Sequence, residues 1–182
     1  MFLAGLRLKG LLMQLSTRGL DLIKQFEGFR SHTYIDVAGL TTIGYGHRIV
    51  PLESFPSGVT EPQAAAILAS DVSEVERSVH HLVRVPLTQG QYDALVDFCF
   101  NLGAGRLADS TLLRALNAGR YDAAGEQLLQ WDHAGGKINL GLKARREADL
   151  RLWKSGAQAA QTAASRQGIE QTASVKQEAS IV

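Results

Sequence analysis

Residues 24–47, KQFEGFRSHTYIDVAGLTTIGYGH, change periodicity part-way along, and that change decides the fold. Leading into the stretch, Leu20, Ile23 and Phe26 recur at three-residue spacing, which predicts a helix that Ser16 or Thr17 starts and Gly28 ends. From Tyr34 to His47 the chain turns to strand formers: Ile35, Val37, Thr41, Thr42, Ile43 and Tyr45, with Gly39 at a turn. An amphipathic helix followed at once by a small antiparallel hairpin or three-stranded sheet places the chain in the α+β class.

Downstream the pattern is helical. Thr60 and Gln63 stand at the spacing of a capping box, Pro62 occupies the tolerant first turn, and Ile67, Leu68, Val72, Val75, Val79 and Leu82 continue one face over about 61–82. That helix is long enough to join a sheet-bearing lobe to a second lobe. Thr88 and Gln91 form another box before YDALVDFCFNLG, which is apolar on most sides and so predicts the central buried helix, stopped at Gly103. Shorter helices follow after Ser110, to Gly119, and over about Tyr121–Trp131. HAGGKINLG reads as a loop, and LKARREADLRLWK as the last helix, with Leu142, Leu150 and Trp153 turned inward.

Three segments result: an N-terminal lead-in, 1–15; a two-lobed domain, 16–156; and a tail, 157–182, rich in Ala, Gln, Ser and Thr. The apolar lead-in is broken by Arg7 and Lys9, well short of the roughly 20 apolar residues of a spanning helix, so stable membrane insertion is not expected. A net charge of +1 gives no general case for nucleic-acid binding. Cys99, the single cysteine, excludes an intramolecular disulfide and sits among apolar neighbours as a core thiol would. No metal-ligand cluster or nucleotide loop stands out, so neither metal nor cofactor is expected.

The chemistry concentrates in the opening stretch. Glu27 and Asp36 are nine residues apart, and Thr42 follows six later. Hydrolysis of a glycosidic bond needs a proton for the leaving oxygen and a second carboxyl on the other side of the sugar, in a different environment. Glu27 falls at a helix C-terminus between Phe26 and Phe29, where negative potential and desolvation favour the neutral acid. Asp36 lies where backbone N–H groups and water can keep it ionised. The hydroxyl of Thr42 can hold a water against a carboxylate, and Thr42, Gly44 and Gly46 fall on one strand face with little bulk beside the hydroxyl.

These residues resemble the catalytic stretch of the phage-type lysozymes, glycoside hydrolase family 24, whose pattern is Glu, eight residues, Asp or Cys, five residues, Thr; Glu27, Asp36 and Thr42 fit it without a gap. QYDALVDFCFNLGAGRLADSTLLRALNAGRYDAAGEQLLQW and HAGGKINLGLKARREADLRLW are similar to that family's C-terminal lobe, so the resemblance covers roughly 16–156. It implies a mainly helical α+β fold of two lobes, with a small antiparallel sheet in the first and a cleft between them. It implies cleavage of the β-1,4 bond between N-acetylmuramic acid and N-acetylglucosamine in peptidoglycan, with Glu27, Asp36 and Thr42 at the catalytic positions. By the same resemblance Phe100, Thr111 and Gln127 match cleft positions that meet the glycan, and His47 is a structural support beside the site.

Both stereochemical courses stay open from sequence: carboxyl groups about 5–5.5 Å apart favour retention, and about 6.5–9.5 Å inversion. From Lys137 to Lys154 six cations face two anions, which suggests attraction to the anionic cell wall with Arg145 or Arg146 near the cleft. The resemblance further implies a monomer, stored in the host bacterial cytoplasm and released through a holin without direct contact, to act in the periplasm or cell wall. The competing reading is a non-catalytic peptidoglycan-binding or scaffolding module that keeps the muramidase shape.

Overall fold

The computed structural model describes residues 12–36 and 39–155. Most of the lead-in, Val37 and the tail lie outside the described residues. The first helix, α1, spans Thr17–Glu27; the Ser16 side chain accepts a hydrogen bond from the Gly19 N–H at its start, and Gly28, at φ 70°, ends it. Strands β1 (Arg30–Ile35), β2 (Thr41–Gly44) and β3 (His47–Arg48) follow in an antiparallel sheet of order β1-β2-β3. The register pairs Tyr34 with Thr42 and Ile43 with His47. A two-residue turn, Tyr45–Gly46, joins β2 to β3, and Gly46 takes the positive φ (83°) that such a turn demands.

The long helix α2 spans Glu61–Leu82 and α3 spans Gln89–Leu102, each opened by the expected capping box, Thr60 with Gln63 and Thr88 with Gln91. Every residue of α3 from Gly90 to Cys99 is buried, so it is the central helix. Around it lie α4 (Ala104–Ala108), α5 (Thr111–Asn117), α6 (Tyr121–Gln127) with a 3-10 turn Leu128–Gln130, and a last helical run over 140–155, here α7. One cluster of buried side chains joins Ile23, Ile43 and Leu68 to Leu95, Phe98, Leu112 and Trp153. Cys99 is buried within it, and burial pushes its thiol up to about 12, which leaves it chemically quiet.

One sequence expectation is corrected here. HAGGKINLG is no plain loop: β4 (His133–Ala134) and β5 (Lys137–Ile138) form a hairpin about Gly135 and Gly136, both at positive φ. Gly103 ends α3 as expected, and α4 begins at the next residue.

Contacts divide the elements. α1 packs on α3, while β2 and β3 pack on α2, which also touches α3 and α4. The segment before α1 is tied to the helical lobe. The Ser16 N–H and hydroxyl both donate to Asp93, the Leu15 N–H donates to Glu76, and the Gln89 amide donates to the Gln14 carbonyl.

Candidate active site

Glu27 ends α1 and is the first residue of a cleft of about 740 Å³ between the sheet and the start of the helical lobe. Asp36 and Thr42 line the same cleft, with Tyr34, Gly46, His47 and Arg48 on the sheet side and Phe100–Gly103 opposite. The three residues chosen from sequence therefore share one wall-to-wall space, although a β-strand and a turn separate them along the chain.

The surroundings of Glu27 differ from expectation. Arg145 Nη1 donates to its Oε1 at 2.7 Å, and its Oε2 lies at the Gly46 backbone, 3.3 Å from where a Cβ on that residue would sit. Phe26, expected to desolvate Glu27, carries the Arg145 guanidinium over its ring at 5.5 Å. The helix dipole and aromatic flanks therefore act beside a fixed cation, Arg145, expected near the cleft but not on this carboxyl.

That cation is itself anchored. Arg145 Nε and Nη2 donate to the two oxygens of Asp97, each at 2.9 Å, in the bidentate fork suited to a carboxylate. Arg146 Nη2 adds a bond to Asp97 Oδ2 at 3.3 Å, and Arg146 Nε stands 3.1 Å from Asp149 Oδ2 without hydrogen-bond geometry. Asp97, Arg146 and Asp149 are fully buried, and Arg145 nearly so. Burial opposes the charge of Arg145, but Asp97 and then Glu27 more than offset it, and its pKa rises. Burial dominates at Arg146, which shifts down, and at Asp149, which burial and then Asp97 raise well above the ordinary carboxylate value. The two members of this last contact both move toward neutrality, so desolvation outweighs their attraction.

This corrects the reading of the basic stretch. Arg145 and Arg146 are interior groups bound to carboxylates, and their charge faces neither solvent nor a cell wall. Arg145 does not line the cleft; it reaches the site only through Glu27.

Asp36 follows β1 and organises its own turn: its Oδ1 accepts the Leu40 N–H at 2.9 Å, and Arg48 Nε stands 3.9 Å from Oδ2. The Thr42 hydroxyl, almost fully buried, donates to the Leu40 carbonyl at 3.1 Å and keeps its lone pairs for another donor. Gly44, expected on the same face, instead takes φ 66° and turns to α2, where a Cβ would meet that of Ala64 at 3.1 Å. Phe100 and Gly46 line the cleft. The Thr111 hydroxyl, at the start of α5, donates to the Gln127 side-chain oxygen, at the end of α6, at 2.7 Å.

His47 is a bridge. Its Nδ1 meets Asp71 of α2 at 2.9 Å and its Nε2 meets Glu53 at 2.9 Å, while Glu53 also accepts the Val50 N–H at 3.0 Å. Burial works against protonation of His47, but the bonds to Glu53 and Asp71 prevail and its pKa rises. The backbone bond from Val50, then His47, lower that of Glu53. Asp71 shifts up because its own burial outweighs the imidazole.

Sequence reasoning missed Asp97. The available signal was an aspartate inside an otherwise apolar, buried helix, which must have found a buried partner. Among the described residues, no group of three or more His, Cys, Asp or Glu stands together as a metal site, and no helix is long and apolar enough to cross a membrane.

The Phage lysozyme family model matches residues 24–149. The endolysin of Bacillus phage B103 is 40% identical over 149 residues, which cover 79% of this chain and 55% of that protein; the chain thus spans about half of that relative's length. The endolysin of Salmonella phage P22 is 41% identical over 138 residues, 74% of this chain and 94% of that one. A crystal structure of a P22 lysozyme mutant superposes with a TM-score of 0.71 at 38% identity, covering 78% of this chain and 98% of that one.

Proposed function

The chain belongs to the phage lysozyme family of peptidoglycan-hydrolysing muramidases, and from that premise we propose that Glu27 is its general acid and that Asp36 and Thr42 activate the attacking water. The observation that carries this reading is the shared cleft: one carboxyl on the helix side, another on the sheet side, and a buried hydroxyl beside the second. Arg145 occupies Oε1 of Glu27, so the transferable proton belongs on Oε2, which faces the turn at Gly46. As that proton moves to the glycosidic oxygen, the guanidinium stabilises the carboxylate left behind. On the opposite face, Thr42 accepts one hydrogen of a water and Asp36 takes the other as the oxygen attacks the anomeric carbon. This sequence inverts the anomeric centre.

The test is digestion of purified peptidoglycan with wild type and Glu27→Gln. Hydrolysis yields reducing muramic acid ends, initially of inverted configuration by NMR, and the folded variant yields none. Release of 1,6-anhydro ends, or full activity of the variant, refutes the assignment. We also propose that the protein acts as a monomer on the cell wall after storage in the host cytoplasm and release through a holin. Fractionation before lysis tests the storage and release, and light scattering of the purified protein tests the monomer.

A further inference from the structure

We propose that Asp149, at the buried end of a series of charged side chains behind Glu27, competes with Glu27 for a single proton and so sets the upper pH limit of hydrolysis; this rests on the reading of Glu27 as the general acid. The series runs Glu27, Arg145, Asp97, Arg146, Asp149, and alternates in sign. Successive N and O atoms stand 2.7, 2.9, 3.3 and 3.1 Å apart. Every member except Glu27 is buried. Two guanidinium groups therefore meet three carboxyl groups. With all five ionised, one negative charge is left over where water does not screen it, and one proton removes it.

That proton belongs at one end of the series. Asp97, in the middle, accepts from both guanidinium groups and is the last of the three carboxylates to be neutralised. At the outer end Glu27 is bonded to Arg145. At the inner end Asp149 stands beside Arg146 without hydrogen-bond geometry, which leaves it less well held as an anion. Burial and then the charge of Asp97 push Asp149 well above the ordinary carboxylate range, while Arg146 and Arg145 oppose that shift. Across the cleft, Glu27 faces Asp36, His47 and Arg48 on the sheet side and Asp71 and Glu74 on α2. Asp149 is not among the residues that line the cleft, so it acts only through Glu27, as a positioning residue. While Asp149 is ionised, the proton stays on Glu27, where the reaction needs it. Once Asp149 is neutral, nothing in the series holds the proton on Glu27.

Asp149→Asn keeps the shape of the side chain and never ionises. The experiment follows kcat/KM on peptidoglycan against pH for wild type, Asp149→Asn and Asp149→Glu, each shown to be folded by its thermal melt. Asp149→Asn is expected to move the alkaline limb of the profile down by about one pH unit, and Asp149→Glu to restore it. A limb that stays in place, or a rate lowered by one factor at every pH, overturns the proposal and leaves the role of Glu27 standing. Coupling between two sites is reciprocal, so Glu27→Gln supplies a second measure that requires no change at Asp149. With the outer carboxyl gone, the Asp149 carboxyl carbon is expected to titrate at lower pH by NMR than in wild type. An unchanged titration overturns the proposal. Full activity of Glu27→Gln overturns the reading on which it rests.

Discussion

Arg145→Met tests whether the catalytic acid is held from the interior. The substitution keeps much of the aliphatic volume and removes three charge-assisted bonds: two to Asp97 at 2.9 Å and one to Glu27 at 2.7 Å. Charge-assisted bonds contribute about 1.5–3 kcal/mol each, but they are not additive. The better measure is the fate of Asp97, fully buried and left with only Arg146 at 3.3 Å. Breaking a buried pair from one side costs about 3–5 kcal/mol. Against a typical stability of about 5–15 kcal/mol, the variant remains folded at low temperature. Urea titration should show a lower midpoint with an unchanged slope. Wall hydrolysis at low temperature should fall by about 10–100-fold, since Glu27 loses the group that fixes Oε1. If Arg145→Met lies within about 1 kcal/mol of wild type and lyses walls at full rate, the interior anchor has no role.

Three further outcomes follow from the same geometry. The raised pKa of His47 means that its bridge contributes fully below the ordinary histidine value of 6.5 and fades as pH rises through the folded value. His47→Asn should therefore lower Tm most at pH 5–6 and progressively less toward pH 9; a deficit independent of pH refutes the bridge. Gly46→Ala forces a left-handed φ at a cost of about 1–2 kcal/mol and brings a methyl to 3.3 Å from Glu27 Oε2, so activity on peptidoglycan should fall further than the melt accounts for. Gly125→Ala sets a methyl 2.9 Å from the buried Trp153 ring, and should cost about 1–3 kcal/mol in denaturant titration while sparing low-temperature activity.

The parts of the molecule legible in the sequence are those set by short-range chemistry. Ser16, Thr60, Thr88 and Ser110 announce helix starts because a capping side chain acts within three residues. The hairpin about Gly135–Gly136 was equally local, and a glycine pair between His133–Ala134 and Lys137–Ile138 was its signal. Glu27, Asp36 and Thr42 were within reach because a helix end, a turn and a strand follow one another directly. What stayed hidden depends on contacts across long stretches of chain. The charge count of 137–154 put Arg145 or Arg146 near the cleft, but nothing near Glu27 shows that it pairs with Arg145, 118 residues away, and Asp97 shows only as a charge out of place in an apolar helix. Nor does spacing show that Thr111 and Gln127, 16 residues apart, bond to each other.

The anchoring pattern has a mechanical consequence. Glu27 sits on α1, which packs on α3, is tied through Ser16 to Asp93, and is gripped at its far end by Arg145 and Asp97. The acid therefore moves with the helical lobe although it precedes the sheet in sequence. Asp36 and Thr42 belong to the sheet, which rests on α2 and is latched to it by His47 and Asp71. The two sides of the reaction are thus fixed to different bodies, and α2 touches both. Any tilt of the sheet about α2 changes the gap between acid and base directly, with no side chain required to turn. A disulfide bridging β1 to the α3–α4 junction across the cleft would then abolish hydrolysis reversibly, with activity returning on reduction. If the oxidised protein lysed walls at the full rate, the chemistry would need no adjustment of that gap.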